Sequence, residues 1–308
     1  MRGFKTIKKQ PTQPQSQPQY EVADVLNKLG SKLEDLGLNS WQLRTLFALK
    51  KCRTSALGGH IDACDECGNI SISYNSCRNR HCPKCQGRNR EDWIQTRETE
   101  LLPVPYFHVV FTLPEVLNKT ALHEPKMLYD TLFETAWETL QTFGKNKNLQ
   151  MGMIAVLHTW GQNLSLHPHL HCIVPGGGVD ENGAWKNIKN DGKFLFSVKA
   201  LSKVFRAKFC EKLKANLKDK FNENQENEYE KIRQSLWEKP WVVYAKKPFG
   251  SPKSVVEYLG RYTHKIAISN GRIRGIDDKT VTFDYKDYRQ KGIKKQMVLS
   301  HEEFIRRF

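Results

Sequence analysis

Three histidines at alternate positions open the run Leu166-His167-Pro168-His169-Leu170-His171-Cys172-Ile173-Val174. The run then turns apolar and β-branched, so it reads as a strand entering a core. Along a strand residues i and i+2 share a face, so His169 and His171 point one way and Leu170 the other. Such a sheet must present imidazoles on one face and pack the opposite one. Two adjacent imidazoles can hold one metal ion and leave coordination positions open for a substrate. The competing pair, His167 and His169, flanks Pro168, which cannot donate to a ladder and is expected to mark the strand's start. A strand with plain surface histidines is the alternative to a metal pair.

Cysteine spacing sets a second constraint. Cys64-x-x-Cys67 and Cys82-x-x-Cys85 can each wrap two thiolates onto one ion, and the two turns together close a tetrahedral shell, so these four are expected to hold a structural Zn2+. Ile70, Ile72 and Tyr74 alternate between the turns, as a ribbon strand should. Cys52, His60, Cys77 and His81 are left over. They are either a second zinc site or include a buried polar pair, Cys77 with His81. Arg78, Arg80, Lys84, Arg88 and Arg90 surround the second turn with asparagines between them, the composition of a DNA grip.

Charge agrees with that reading. Lys and Arg number 49 against 33 acids, a net +16, which calls for a polyanionic partner, nucleic acid before membrane. No apolar stretch is long enough to span a bilayer, and the Lys-, Gln- and Pro-rich start is no signal peptide. The expectation is a cytoplasmic protein whose eight cysteines serve as thiols or metal ligands.

The organisation follows. Residues 1–20 are low-complexity and expected to be an unstructured tail. Residues 21–100 form a helical, zinc-binding DNA-binding domain, with two amphipathic helices over 21–51 and Ser40 capping the second. A boundary is expected near Pro103, with a catalytic domain over 101–308. There, strands are expected at 104–113, 151–160, from Pro168 to 174 and at 241–245, and helices at 115–143 and 194–221. An acidic loop follows over 222–230, and short strands end the chain. Pro175-Gly176-Gly177-Gly178 lacks the Lys-Ser/Thr of a P-loop, so no nucleotide cofactor is expected and the glycines read as a flexible lip.

The segment Pro252 to Lys265 reads as a helix. Tyr258 and Tyr262 lie four apart on one face, about 6 Å along the axis, with Arg261 and Lys265 on the same stripe. From Lys246 onward fifteen Lys and Arg stand against seven Asp and Glu, which carries the nucleic-acid face through this region. Two phenols, a cationic strip and a histidine pair point to phosphodiester chemistry. A divalent ion such as Mg2+ or Mn2+ at the histidines draws charge from a phosphate, and a tyrosine attacks it, leaving a 5′-phosphotyrosine and a free 3′-hydroxyl.

The chain resembles the two-tyrosine rolling-circle transposases of insertion sequences, within the His-hydrophobic-His nucleases. The resemblance runs from about Glu21 to the end. It rests on Cys64-x-x-Cys67-Gly68, on Asn75 to Gln86, on Tyr106-Phe107-His108-Val109-Val110-Phe111-Thr112-Leu113-Pro114, on Thr159-Trp160-Gly161-Gln162 with His167 to Cys172, and on Tyr258-Leu259-Gly260-Arg261-Tyr262-Thr263-His264. It implies an α+β fold with an antiparallel central sheet and flanking helices, a ferredoxin- or RRM-like palm, after a small helical zinc-ribbon module. It also implies a bacterial enzyme acting on single-stranded element ends, with a polar side chain completing the metal shell. Gln162 matches that position. Seven residues separate it from His169, an odd number, so the two meet only if the chain turns between them. Family members continue past a segment like Glu302 to Phe308, so a shortened catalytic domain is expected. A plasmid replication initiator or relaxase would share the chemistry, and a zinc-ribbon regulator would explain the charge and cysteines alone.

Overall fold

The computed structural model describes residues 18–188, 195–218, 232–246, 252–263, 266–290 and 292–308, without the side chains of 86–91, 218, 252, 253, 259, 261–263 and 289. The tail over 1–17, the acidic loop over 222–230 and Lys265 lie outside the described residues. Two compact units form: 1–75 with 268–306, and 76–267 with 307–308. The boundary expected near Pro103 falls inside the second unit. Residues on both sides of it share one apolar cluster, in which Trp93, Leu101 and Val104 pack on Tyr106, Ile173 and Val255.

The first unit begins with α1 (Val22–Leu29), whose buried face is Val22, Val25, Leu26 and Leu29. A 3-10 stretch leads to α2 (Ser40–Lys51). Asn39, rather than Ser40, caps α2: its side chain accepts from the Gln42 N–H while the Gln42 side chain bonds the Asn39 N–H. Next comes an antiparallel ribbon of β1 (Gly59–Ala63) and β2 (Ile70–Tyr74).

The second unit opens with α3 (Gln86–Glu98) and β3 (Tyr106–Thr112). The helix expected over 115–143 is two, α4 (Asn118–His123) and α5 (Pro125–Lys145). Pro125 has no N–H to continue α4, and it occupies the first turn of α5, where none is needed. Then follow β4 (Ile154–Trp160), β5 (Leu166–Pro175), β6 (Gly177–Val179), β7 (Trp185–Asn187), α6 (Val198–Lys218), α7 over 232–238, β8 (Val243–Lys246) and α8 (Pro252–Thr263). The glycines expected to form a flexible lip are instead strand β6, paired with β7. Gly178 is too close to the Gln150 backbone to admit a Cβ.

The central sheet runs β4-β5-β3-β8, every pair antiparallel. One face carries Phe107, Val109, Phe111, Leu170, Cys172, Val174 and Val243. It packs on Leu128, Leu132, Ala136 and Leu140 of α5 and on Leu201, Phe205 and Phe209 of α6. Each large side chain buried here contributes about 2–3 kcal/mol. The other face is covered near Ile173 by Val255 of α8. This is the expected α+β architecture.

The chain then returns to the first unit. Strands β9 (Ile273–Ile276), β10 (Thr280–Asp287) and β11 (Ile293–Ser300) form an antiparallel sheet in the order β11-β10-β9, ahead of α9 (His301–Arg307). Asn270 Oδ1 accepts from the Val22 N–H at 3.1 Å, tying this end of the chain to α1.

Candidate metal centre and active site

On β5, His169 and His171 share the face opposite Leu170, as alternation requires, and that face looks away from the α5–α6 core. Pro168 does not start the strand but lies inside it. The β4–β5 register passes from His158 opposite His169 to Trp160 opposite Leu166, so His167 and Pro168 form a bulge against Thr159. A bulge is where a central strand tolerates a proline, and this one leaves His167 exposed, outside the pair.

The third imidazole comes from β4. His158 stands directly opposite His169, and the ligand atoms of His158, His169 and His171 all lie within 4.8 Å of one another. His158 is buried and stacks on Trp160, with ring centroids 5.3 Å apart. Three neutral nitrogens this close fit one divalent ion with open positions. Gln162 sits in the β4–β5 turn, past the last paired residues, where Gly161 N–H bonds the Ser165 carbonyl and Leu164 adopts φ +62°.

Two further bonds fix how the imidazoles present themselves. His169 Nδ1 donates to the His167 carbonyl at 2.6 Å, and His171 Nδ1 meets His108 Nε2 at 2.8 Å. Both bonds direct Nε2 toward coordination. His108 stands on β3, buried, and its ring lies 5.0 Å from that of His171. Burial, with the Lys246 charge added, lowers its pKa to about 4. It is therefore neutral at physiological pH, and its Nε2 accepts from His171 Nδ1 in the tautomer that frees His171 Nε2 for a metal. Sequence reasoning gave neither His158 nor His108 a role, although His108 lies within the Tyr106–Pro114 motif. The local signal in each case is a polar ring in an apolar strand.

Tyr258 of α8 reaches this face. Its ring makes an edge contact with His108, centroids 5.1 Å apart, and Lys246 Nζ lies 5.4 Å from its ring centre. Lys246 is paired across β8–β3 with His108, which places the cation at the same end of the sheet. Tyr262 and Arg261 follow on α8, with side chains outside the described residues.

The cysteines assemble differently from their spacing. Cys52, Cys77, Cys82 and Cys85 gather with all four sulfurs within 4.8 Å, and Cys77 Sγ lies 3.7 Å from Cys85 Sγ. A tetrahedral zinc–thiolate site has sulfur–sulfur edges of about 3.8 Å, so this group fits zinc. Cys64 and Cys67 are exposed and outside it. Arg53 N–H bonds the Asn75 carbonyl, so Cys52 and Cys77 flank the base of the ribbon while Cys64 and Cys67 occupy its tip. Five strand residues at about 3.3 Å each separate tip from base by roughly 16 Å, too far for one ion. His60 is exposed on β1, 3.6 Å from Asp62. His81 is half-buried beside the four-cysteine group's chain segment, and burial lowers its pKa. Cys52→Ser or Cys77→Ser is expected to release zinc and unfold the module, since metal binding and folding are coupled. Cys64→Ser is expected to leave the module folded, and circular dichroism with zinc analysis reads both.

Arg78 and Arg80 are exposed beside this module, and Lys84 is half-buried; Arg88 and Arg90 belong to α3, with side chains outside the described residues.

Comparison with known proteins bears on this geometry. Residues 152–308 match a family described as "Putative transposase", and residues 24–113 match the "Transposase zinc-binding domain". The chain is 44% identical over 301 residues to "Putative transposase y4qJ" of Sinorhizobium fredii, across 94% of this chain and 75% of that protein. The chain belongs to this transposase family. It is also 29% identical over 283 residues to the "Transposase for insertion sequence element IS801" of Pseudomonas savastanoi, across 89% of this chain and 67% of that one. The DNA transposase thus carries a zinc-binding module ahead of its histidine-bearing sheet. Among the described residues no helix is long and apolar enough to cross a membrane.

Proposed function

We propose that this transposase nicks and rejoins single-stranded DNA at insertion-sequence ends, with Tyr258 and Tyr262 as nucleophiles. One observation carries the reading: three imidazoles and Tyr258 occupy one sheet face, joined through His108. A divalent cation, Mg2+ or Mn2+, held by His158, His169 and His171 supplies Lewis-acid polarisation of the scissile phosphate. Gln162, in the adjoining turn, offers an amide oxygen as a further neutral donor.

The side chains do the rest. The Tyr258 phenol loses its proton and its oxygen forms a bond to phosphorus. The bond from phosphorus to the 3′-oxygen breaks, and that oxygen takes up a proton. A 5′-phosphotyrosine and a 3′-hydroxyl result, and reversal rejoins a strand without ATP because the phosphodiester's energy is retained. Lys246, beside the Tyr258 ring, offsets phosphate charge, and Arg261 and Lys265 are further cations assigned to that role. Tyr262, one helical turn further on, takes the second strand. Arg78, Arg80, Lys84, Arg88 and Arg90 grip the DNA backbone.

Incubation with single-stranded element ends and Mn2+ tests this directly. A detergent-resistant covalent protein–DNA adduct is expected, and a cut without any adduct would refute tyrosine chemistry. His108 supplies a separate check. His108→Phe removes the ring nitrogen that holds His171 Nδ1, so Mn2+ affinity should fall about 10–100-fold with DNA binding intact.

A further inference from the structure

The ribbon tip carries two metal-ligating thiols that the zinc module does not use. Cys64 and Cys67 are exposed at the turn joining β1 to β2. The turn is shaped as a knuckle: Gly68, at φ +66°, donates its N–H to the Cys64 carbonyl at 2.8 Å, and the Cys64 N–H bonds the Asn69 carbonyl.

This is half of a tetrahedral shell, and among the described residues no cysteine, histidine or carboxylate joins the two thiols in a metal-holding group. Of the chain's six other cysteines, four are gathered in the zinc module and Cys172 and Cys210 are buried in the sheet domain. His60 lies four residues from Cys64 along an extended strand, about 13 Å away. We propose that the Cys64–Cys67 knuckle is one half of a zinc site shared by two copies of this chain, each copy supplying two thiolates.

The ribbon's surface fits such a partner. Gly59, Ile61 and Ala63 face Tyr74, Ile72 and Ile70 across the ladder, so one side of the ribbon is apolar. Yet Ile61 is 70% exposed, Ile70 67% and Ile72 61%. Residues 54–77 contain Asp62, Asp65 and Glu66 but no Lys or Arg, in a chain of net charge +16. Such a surface repels nucleic acid and suits burial against protein. The acidic tips also repel each other, so the pairing depends on the zinc between them.

Sedimentation of the full-length protein with zinc quantified per chain tests this, independently of the cleavage chemistry. A dimer with about 1.5 zinc per chain is expected, one ion in each module and one shared. C64S/C67S should be a folded monomer with about one zinc per chain. Ile72→Lys, which leaves the knuckle intact, should weaken the dimer about tenfold or more. A monomeric wild type, a dimer persisting in C64S/C67S, or two zinc per chain would each overturn the shared site. A dimer unweakened by Ile72→Lys would remove the apolar face from the interface.

Discussion

His158→Ala is expected to lower cleavage of single-stranded element ends by about a thousandfold while leaving DNA binding within about twofold. The imidazole is buried, opposite His169, and within ligand distance of both partners. Removing it leaves two nitrogens, and the ion proposed there would act on the transition state rather than on the bound ground state. Losing several kcal/mol of Lewis-acid stabilisation corresponds to about three powers of ten in rate. His169→Ala and His171→Ala should do the same. Gln162→Ala should cost less, because water replaces a neutral amide donor. Titration of Mn2+ by paramagnetic resonance, run beside cleavage, separates the causes. A His158→Ala protein that binds Mn2+ normally and cleaves at full rate would return the third ligand position to Gln162.

Why His158 was harder to see than His169 and His171 is a matter of register. Alternation within one strand is local, so the pair on β5 is legible from its own sequence. A partner on the next strand becomes visible only once the turn length and the bulge at His167–Pro168 are fixed. The odd spacing of Gln162 from His169 calls for a turn between them, and the chain does turn over 161–165, with the bulge shifting the register further. The same limit governed the cysteines. C-x-x-C spacing identifies which thiols can share an ion locally, but the ribbon decides which pairs are brought together. Its five paired residues separate Cys64 and Cys67 from Cys52 at the base. The break before α5, in contrast, follows from Pro125 alone. Long-range ties such as Asn270 to the start of α1 have no local signature, which is why the C-terminal strands read as an extension of the catalytic domain.

Tyr258→Phe is expected to abolish the first covalent adduct with metal binding unchanged. The substitution deletes the atom proposed to bond phosphorus and keeps the ring whose centroid lies 5.1 Å from that of His108. No neighbouring group replaces a missing nucleophile, so the loss should approach the uncatalysed background, a fall of at least about 10^4. Tyr262→Phe is expected to differ. The first nick should survive and strand transfer should stop, because the second strand then has no acceptor one helical turn along α8. Mass spectrometry of the peptide carrying the nucleotide decides the order of attack. An adduct on Tyr262 in the wild-type protein would reverse the roles. An adduct on neither residue would leave the His108–Tyr258 contact as packing alone, with the histidine face serving a nucleophile from elsewhere.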